Sequence, residues 1–243
     1  MVSGIRRKRS LIARLECQNC PTRSLAEWSA LNDDDMGAVE EARTARTFQR
    51  GQVLFAQSQP ATGIYCIHTG AVALTKQSES SEQTYVRLAH AGQTFGYPNM
   101  LNAMVCTTSA KALGRATICH VEVQPLRAIL RRRPALERRF NLHMAEDLDE
   151  TERHLVQLAS LPVRSRLARL LVDLSDRYAH PENGSTVMTP PMTWRDMSEL
   201  LCTRPETLTR TIHAMQEDGV FNQKGHLLSI PDMDVLRGET HPQ

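Results

Sequence analysis

Between Arg46 and about Val123 the apolar residues come in short runs bounded by glycine and polar positions: Gln52–Phe55, Gly63–Ile67, Gly70–Leu74, Tyr85–Leu88 and Ala116–Val121. Runs of this length and spacing predict an antiparallel β sandwich or barrel. After Pro134 the period changes, and Met144, Leu148, Thr151, Leu155 and Leu158 recur at alternating steps of four and three in a helical stretch that continues to Pro162. That is a heptad seam, and a 3.5-residue period sustained for about 25 residues exceeds what a sandwich needs for its own packing. It predicts pairing with a second copy in a parallel homodimer, the other option being one helix packed on its own barrel. Thr151 sits mid-seam with Glu146, Asp147, Asp149, Glu150 and Glu152 crowded around it. Two parallel copies bring those like charges together, so the seam is weak at its centre and its strength is adjustable.

A second amphipathic helix is predicted from Val163 to about Tyr178, with Leu167, Leu170, Leu171 and Leu174 on one face, followed by a turn at Pro181–Ser185. Thr193-Trp194-Arg195-Asp196 then has the form of a capping box, and Met197, Leu200 and Leu201 share one helical face behind it. A tight turn at Cys202-Thr203-Arg204 leads to Pro205, which suits the first turn of a helix because its missing N–H has no partner there anyway. In that next helix Leu208, Ile212 and Met215 fall on one side and Glu206, Thr209, Arg210 and His213 on the other. One face is core and the other is presented. Arginine can bond both acceptors of a guanine edge, glutamate can accept from cytosine N4, and threonine can reach a base or a thymine methyl. The stretches at Asp218–Phe221 and Lys224–Ile230 read as a short hairpin, so Met192–Ile230 is expected to be a winged helix-turn-helix. A helical hairpin from an unrelated all-α fold would explain the apolar positions but not the capped start, Pro205 and wing in succession.

Composition adds limits more than identity. At 243 residues two domains are expected, and 41% hydrophobic residues suffice for a buried core. No apolar run approaches the roughly 18 residues of a membrane span. The basic start Arg6-Arg7-Lys8-Arg9 leads into an apolar run broken by Arg14 and Glu16, which is not a secretory pattern, so the expected compartment is the cytoplasm with no membrane partner. There the six cysteines are not expected to form a disulfide framework. Charge does not point to nucleic acid: the net value is +2, and residues 162–243 hold nine Lys and Arg against eleven Asp and Glu. Arg204, Arg210 and Lys224 nevertheless gather near the presented face. No nucleophile elbow, phosphate loop or metal-hydrolase helix is present, and His68, His90, His143 and His154 are scattered without a second ligand at i+3 or i+4, so no enzyme is expected.

The order of parts resembles the Crp/Fnr family of bacterial transcription regulators over nearly the whole chain. Glu206-Thr207-Leu208-Thr209-Arg210 is similar to that family's E-x-x-[ST]-R recognition signature in its Fnr-branch form. The resemblance implies an α+β fold: an N-terminal antiparallel β-roll of the cyclic-nucleotide-binding type, a long dimerisation helix and a C-terminal winged helix-turn-helix. It implies double-stranded DNA and RNA polymerase as partners, with Glu206, Thr209 and Arg210, aided by Arg204 and His213, reading a palindrome of TTGAT type. The boundaries expected are residues 1–44 for a cysteine-containing sensory segment, 45–133 for the roll, 134–161 for the dimerisation helix and 162–243 for the DNA-binding domain. Asp33-Asp34-Asp35 in the first segment is expected to cap a helix running through Glu41.

Two comparisons within the family choose the branch. Gly92-Gln93-Thr94-Phe95-Gly96 and Cys106-Thr107-Thr108-Ser109-Ala110 stand where nucleotide-binding relatives carry a ribose-binding Glu and a phosphate-binding Arg, so no cyclic nucleotide is expected. Cys17-Gln18-Asn19-Cys20 through Ala26 is similar to the C-x-x-C-x5-C motif of oxygen-sensing Fnr proteins, and Cys119 matches their distant fourth ligand. The third position is Ala26, which cannot coordinate. The resemblance implies an iron–sulfur cluster, of the 4Fe-4S kind, on Cys17, Cys20 and Cys119, responsive to oxygen, nitric oxide or redox state. The remaining ligand is open among Asp33, Asp34, Asp35, Cys66, Cys106, His120 and an exogenous small molecule. Zinc on the same thiols, a Cys17/Cys20 disulfide switch, and a cluster-free dimer that binds DNA constitutively also remain open.

Overall fold

The computed structural model describes residues 16–77, 83–101 and 104–241. The basic start at Arg6–Leu15 lies outside them. Two compact units are present, one built from the chain up to Gln77 together with Leu88–Glu146, the other from the strand residues up to Arg87 together with Asp147 onward.

The first unit begins with two short 3-10 turns, Arg23–Leu25 and Glu27–Ala30, and then helix α1, Asp33–Ala42. Its cap is Asn32, whose side chain accepts from Asp35 N, rather than the aspartates expected for that role. Those three carboxylates occupy the first turn, where they complement the positive end of the helix. Strands β1 (Arg43–Phe48), β2 (Val53–Phe55), β3 (Gly63–Thr69), β4 (Ala71–Gln77), β5 (Gln83–His90) and β6 (Thr94–Phe95) follow. Then come α2 (Tyr97–Leu101), β7 (Ser109–Ala112), β8 (Ala116–Glu122) and α3 (Val123–Arg132). The strands form two antiparallel four-stranded sheets, ordered β1-β8-β3-β6 and β2-β7-β4-β5. Ile64, Ile67, Val72, Ala73, Ala110 and Ile118 are all but inaccessible in their core.

Strands β1 and β7 fall outside the apolar runs of the sequence because half or more of their residues are polar: β1 reads RTARTF and β7 reads SAKA. Their pairing with β8 and with β2 and β4 makes them strands. Helix α3 buries Val123, Leu126, Ile129 and Leu130, so the roll ends in a helix.

Helix α4, Pro134–Ser160, buries only Leu136 and Phe140. Farther along, Met144 and Leu158 are half-buried but the middle of the seam is uncovered: Leu148 is 60% and Leu155 66% exposed, and Thr151 turns its hydroxyl back to Asp147 O at 2.7 Å.

In the second unit α5 (Val163–Tyr178) buries Leu167, Leu171 and Leu174. What reads as a turn at Pro181–Ser185 is the tip of a hairpin, β9 (Ala179–Glu182) and β10 (Ser185–Met188). Asn183 and Gly184 both take positive φ, 48° and 78°, as the tight turns favoured between antiparallel strands require. Helices α6 (Trp194–Leu200) and α7 (Pro205–Glu217) come next, then β11 (Asn222–Lys224), β12 (Leu227–Ile230) and α8 (Met233–Gly238). The wing is thereby part of a four-stranded sheet, β11-β12-β10-β9.

Candidate cysteine site and nucleic-acid interface

Alternation along β8 and β3 decides which side chains meet on the first unit. Successive residues of a strand point to opposite faces, and directly paired residues share a face. Cys66 is paired with Cys119, and Cys119 in turn with Ala45 on β1. Ile64 and Cys66 therefore share one face with Arg43, Ala45, Cys119 and Val121, while Tyr65, Ile67, Ile118 and His120 lie on the other; His68 sits where the register shifts between Ile67 and Thr69.

The segment carrying Cys17 and Cys20 packs over the first of these faces. Arg43 Nε donates to Cys17 Sγ at 2.9 Å, and the charge of the same guanidinium favours the thiolate of Cys119. Cys20 Sγ lies 3.5 Å from His68 Nδ1 and 3.2 Å from Thr22 Oγ1. Cys17 N donates to Glu40 Oε2 at 3.1 Å, and both Cys17 and Cys66 pack against the core cluster that contains Ala26, Trp28, Ile64 and Val121. Below them, Glu27 is 6% exposed, accepts from Thr94 Oγ1 at 2.6 Å, and has His143 Nδ1 3.2 Å from its other oxygen. Gly92, at φ +89°, leaves room for Leu25, because a Cβ there would come within 2.8 Å of it. The N-terminal segment is thus seated on the roll by a buried carboxylate, a core tryptophan and a close backbone approach.

Cys17, Cys20 and Cys119, nominated from sequence, come into one neighbourhood, joined by Cys66. The other candidates do not join them. Asp33 is paired with Arg23 and 78% exposed, and Asp35 is paired with Arg133. Asp34 is exposed. His120 projects from the opposite face, where its Nε2 meets Thr62 Oγ1 and its ring meets Tyr65. Cys106 is buried on that other side. Sequence reasoning missed Arg43 and His68. Arg43 reads as an ordinary charge at a strand start, and its 9% exposed side chain is evident only once β1 is laid beside β8.

All six cysteines are free. Burial pushes the Cys66 thiol up to about 12 and the Cys119 thiol up to about 11, Arg43 opposing the latter. Burial also raises Cys17, again against Arg43, and lowers His68. Thiols so placed remain protonated at neutral pH until a bound cation displaces the proton. Among the described residues no group of three His, Cys, Asp or Glu side chains is close enough to hold a single metal ion. A four-iron cluster takes one thiolate at each iron and so accepts a more widely spread donor set, which two thiols on the sheet face and two on the segment packed over it match in chemistry.

At the other end, the capping box is complete: Thr193 Oγ1 accepts from Asp196 N, and Asp196 Oδ2 accepts from Thr193 N at 2.8 Å. Pro205 begins α7, which buries Leu208, Ile212 and Met215. Arg204, Glu206, Thr209, Arg210 and His213 are all exposed. Thr209 Oγ1 donates to Pro205 O at 2.9 Å, and Trp194 Nε1 donates to Gln223 Oε1 at 3.0 Å, tying α6 to the wing. A short capped helix, a tight turn and a second helix with one polar face clear of its core form a helix-turn-helix reader.

A cyclic nucleotide-binding domain family matches residues 45–133, and a Crp-like helix-turn-helix domain family matches 165–239. With the long helix between them, the chain is a Crp/Fnr family DNA-binding transcription regulator. Within that class it is similar to an anaerobic regulatory protein of Aggregatibacter actinomycetemcomitans, 25% identical over 95% of this chain and 90% of the relative. It is also similar to the transcriptional activator protein anr of Pseudomonas aeruginosa, 21% identical over 93% of this chain and 94% of the relative. Its fold matches that of FixK2 from Bradyrhizobium japonicum with a TM-score of 0.73 at 20% identity, covering 83% of this chain and 98% of that one. No helix among the described residues is long and apolar enough to cross a membrane.

Proposed function

We propose that this regulator is gated by an iron–sulfur cluster of the 4Fe-4S kind, held by Cys17, Cys20 and Cys119, and that the gate acts on a homodimer reading a TTGAT-type palindrome. The observation that carries the reading is the seating of the Cys17–Cys20 segment over the face that holds Cys119, with Arg43 bonded to Cys17 and its charge acting on Cys119. The anaerobic regulators among its relatives support the same direction. When bound, the cluster supplies a centre whose integrity depends on oxygen, nitric oxide or redox state. Arg43 donates to Cys17 Sγ, and hydrogen bonds of that kind tune a cluster's potential. Glu27, Trp28 and Leu25 hold the segment on the roll. A cyclic nucleotide is not the ligand in this reading, since Gln93 and Thr107–Ala110 lack the carboxylate and guanidinium it needs, and Thr94 is engaged by Glu27.

Residues 1–44 act here as the sensory segment, 45–133 as the roll that receives it, 134–161 as the dimerisation helix and 162–243 as the reader. Met144, Leu148, Thr151, Leu155 and Leu158 form the dimer seam, and the exposure of Leu148 and Leu155 is the apolar surface a partner helix would cover. Two recognition helices then sit about 34 Å apart, one DNA turn, with Glu206, Thr209 and Arg210 at the base edges and Arg204 and His213 beside them.

The test is anaerobic purification with iron and sulfide analysis, visible absorbance and native mass, comparing the natural chain with Cys17→Ala, Cys20→Ala and Cys119→Ala. A cluster in the natural chain, lost or depleted in each variant, is expected. Four indistinguishable spectra would remove the cluster and leave a constitutive DNA-binding regulator.

A further inference from the structure

The face that receives Cys17 and Cys20 presents not one thiol but two. Cys66 on β3 is the direct antiparallel partner of Cys119 on β8. Paired residues on one face of an antiparallel ladder have their Cβ atoms about 4.5–5.5 Å apart. His68, two residues farther along β3, lies against Cys20, so the N-terminal pair comes down at this part of the strand. Ala26, the position that lacks a thiol, is 5% exposed in the core cluster against which both Cys17 and Cys66 pack. The face therefore lacks one thiol at a site in the N-terminal segment and holds an additional one within the same neighbourhood.

We propose that Cys66 is the fourth protein ligand of the cluster, so that the ligand set is Cys17, Cys20, Cys66 and Cys119. The inference rests on the cluster reading above and makes it more specific: the chain supplies four thiolates, two from the N-terminal segment and two from facing positions of one sheet. Asp33, Asp34, Asp35 and His120 are ruled out of this set by their pairing, exposure or strand face, and Cys106 by its place in a loop bonded to Ser58 and Gln59. His68 is the competing side chain, since it touches Cys20. A cross-strand cysteine pair is a rigid donor unit, because two paired strands fix both Cα positions. Ligation by it ties β3 and β8 to the N-terminal segment through the same centre.

The experiment uses the full chain, reconstituted anaerobically with iron and sulfide and purified without added thiol. In the natural chain Mössbauer spectra are expected to show about four equivalent irons, and mass-mapped alkylation is expected to find Cys66 protected, becoming reactive on iron removal under denaturing conditions. Cys66→Ala is expected to turn one iron into a distinct site or to lose the cluster, and adding Ala26→Cys to that variant is expected to restore the four-thiolate signature. Cys106→Ala should leave the spectra unchanged. One distinct iron already present in the natural chain, or Cys66 alkylated at full rate with the cluster bound, overturns the ligand assignment while leaving the cluster reading intact. Loss in His68→Ala with none in Cys66→Ala does the same in favour of the imidazole. A natural chain that takes up no iron and sulfide overturns both. The spectra and alkylation of the natural chain keep the assignment testable even if Cys66→Ala folds poorly.

Discussion

The DNA-reading helix and the cysteine face are built on opposite plans. Everything α7 presents lies within the thirteen residues Pro205–Glu217, with its preceding Arg204, and the split between core and presented sides follows from helical period alone. The cysteine face draws Cys17 and Cys20 from an N-terminal segment, Arg43 from β1, Cys66 and His68 from β3, and Cys119 from β8. No periodicity links those positions. A local site depends on one helix staying folded, whereas a composite site depends on the register of three strands and on a docked segment.

That contrast can be broken or sharpened by measurement, and the largest effect should come from the core side of α7. Met215 is fully buried, so Met215→Ala is expected to destabilise its domain by about 2–5 kcal/mol, read by denaturant unfolding. An effect below about 1 kcal/mol would mean that the helix is not held by its apolar stripe. On the presented side, Arg210→Ala should cost about 1–3 kcal/mol of binding to a matching palindrome and relax its guanine preference, with stability nearly unchanged. An unaltered site preference in a binding-selection assay would contradict direct readout by this residue.

Smaller effects test the supports. Thr193→Ala removes the cap of α6 and should lower stability by about 1 kcal/mol, while the neighbouring wing bond from Trp194 persists. The smallest concerns pH. Arg164 donates twice to Glu239, and those bonds hold the Glu239 carboxyl below its usual range. A depressed carboxyl contributes stability that is present above its unfolded value and is lost as pH falls through its folded value. The stability gap between the natural chain and Glu239→Gln should therefore narrow as pH is taken below the ordinary carboxylate range. A gap constant across that range would show that the pair contributes nothing through charge.

Legibility followed the same division. The capping box, Pro205, the apolar stripe of α7 and the span of α4 were readable because each rests on residues a few positions apart. The hairpin at Asn183-Gly184 was readable only as a turn, since Ala179–Glu182 carries a proline and two charged or titratable side chains in place of an apolar alternation. Strands β1 and β7 escaped for a related reason, their polar positions being tolerated by pairing to β8, β2 and β4. At the start of α1 three consecutive aspartates offer capping side chains, and the asparagine just before them, Asn32, makes the cap.

By itself, then, the sequence determined the helix-turn-helix and the roll-helix-reader order, because those are properties of period and residue chemistry, while the choice of Cys17, Cys20 and Cys119 with a gap at Ala26 came from the family resemblance. Tertiary structure decided which of the remaining candidates stands beside them. Cys66 and Cys119 face each other because β3 and β8 pair in one particular register, and a slip of one residue would send either thiol to the other side of the sheet. His120, next to Cys119 in sequence, was a candidate until that alternation turned it away.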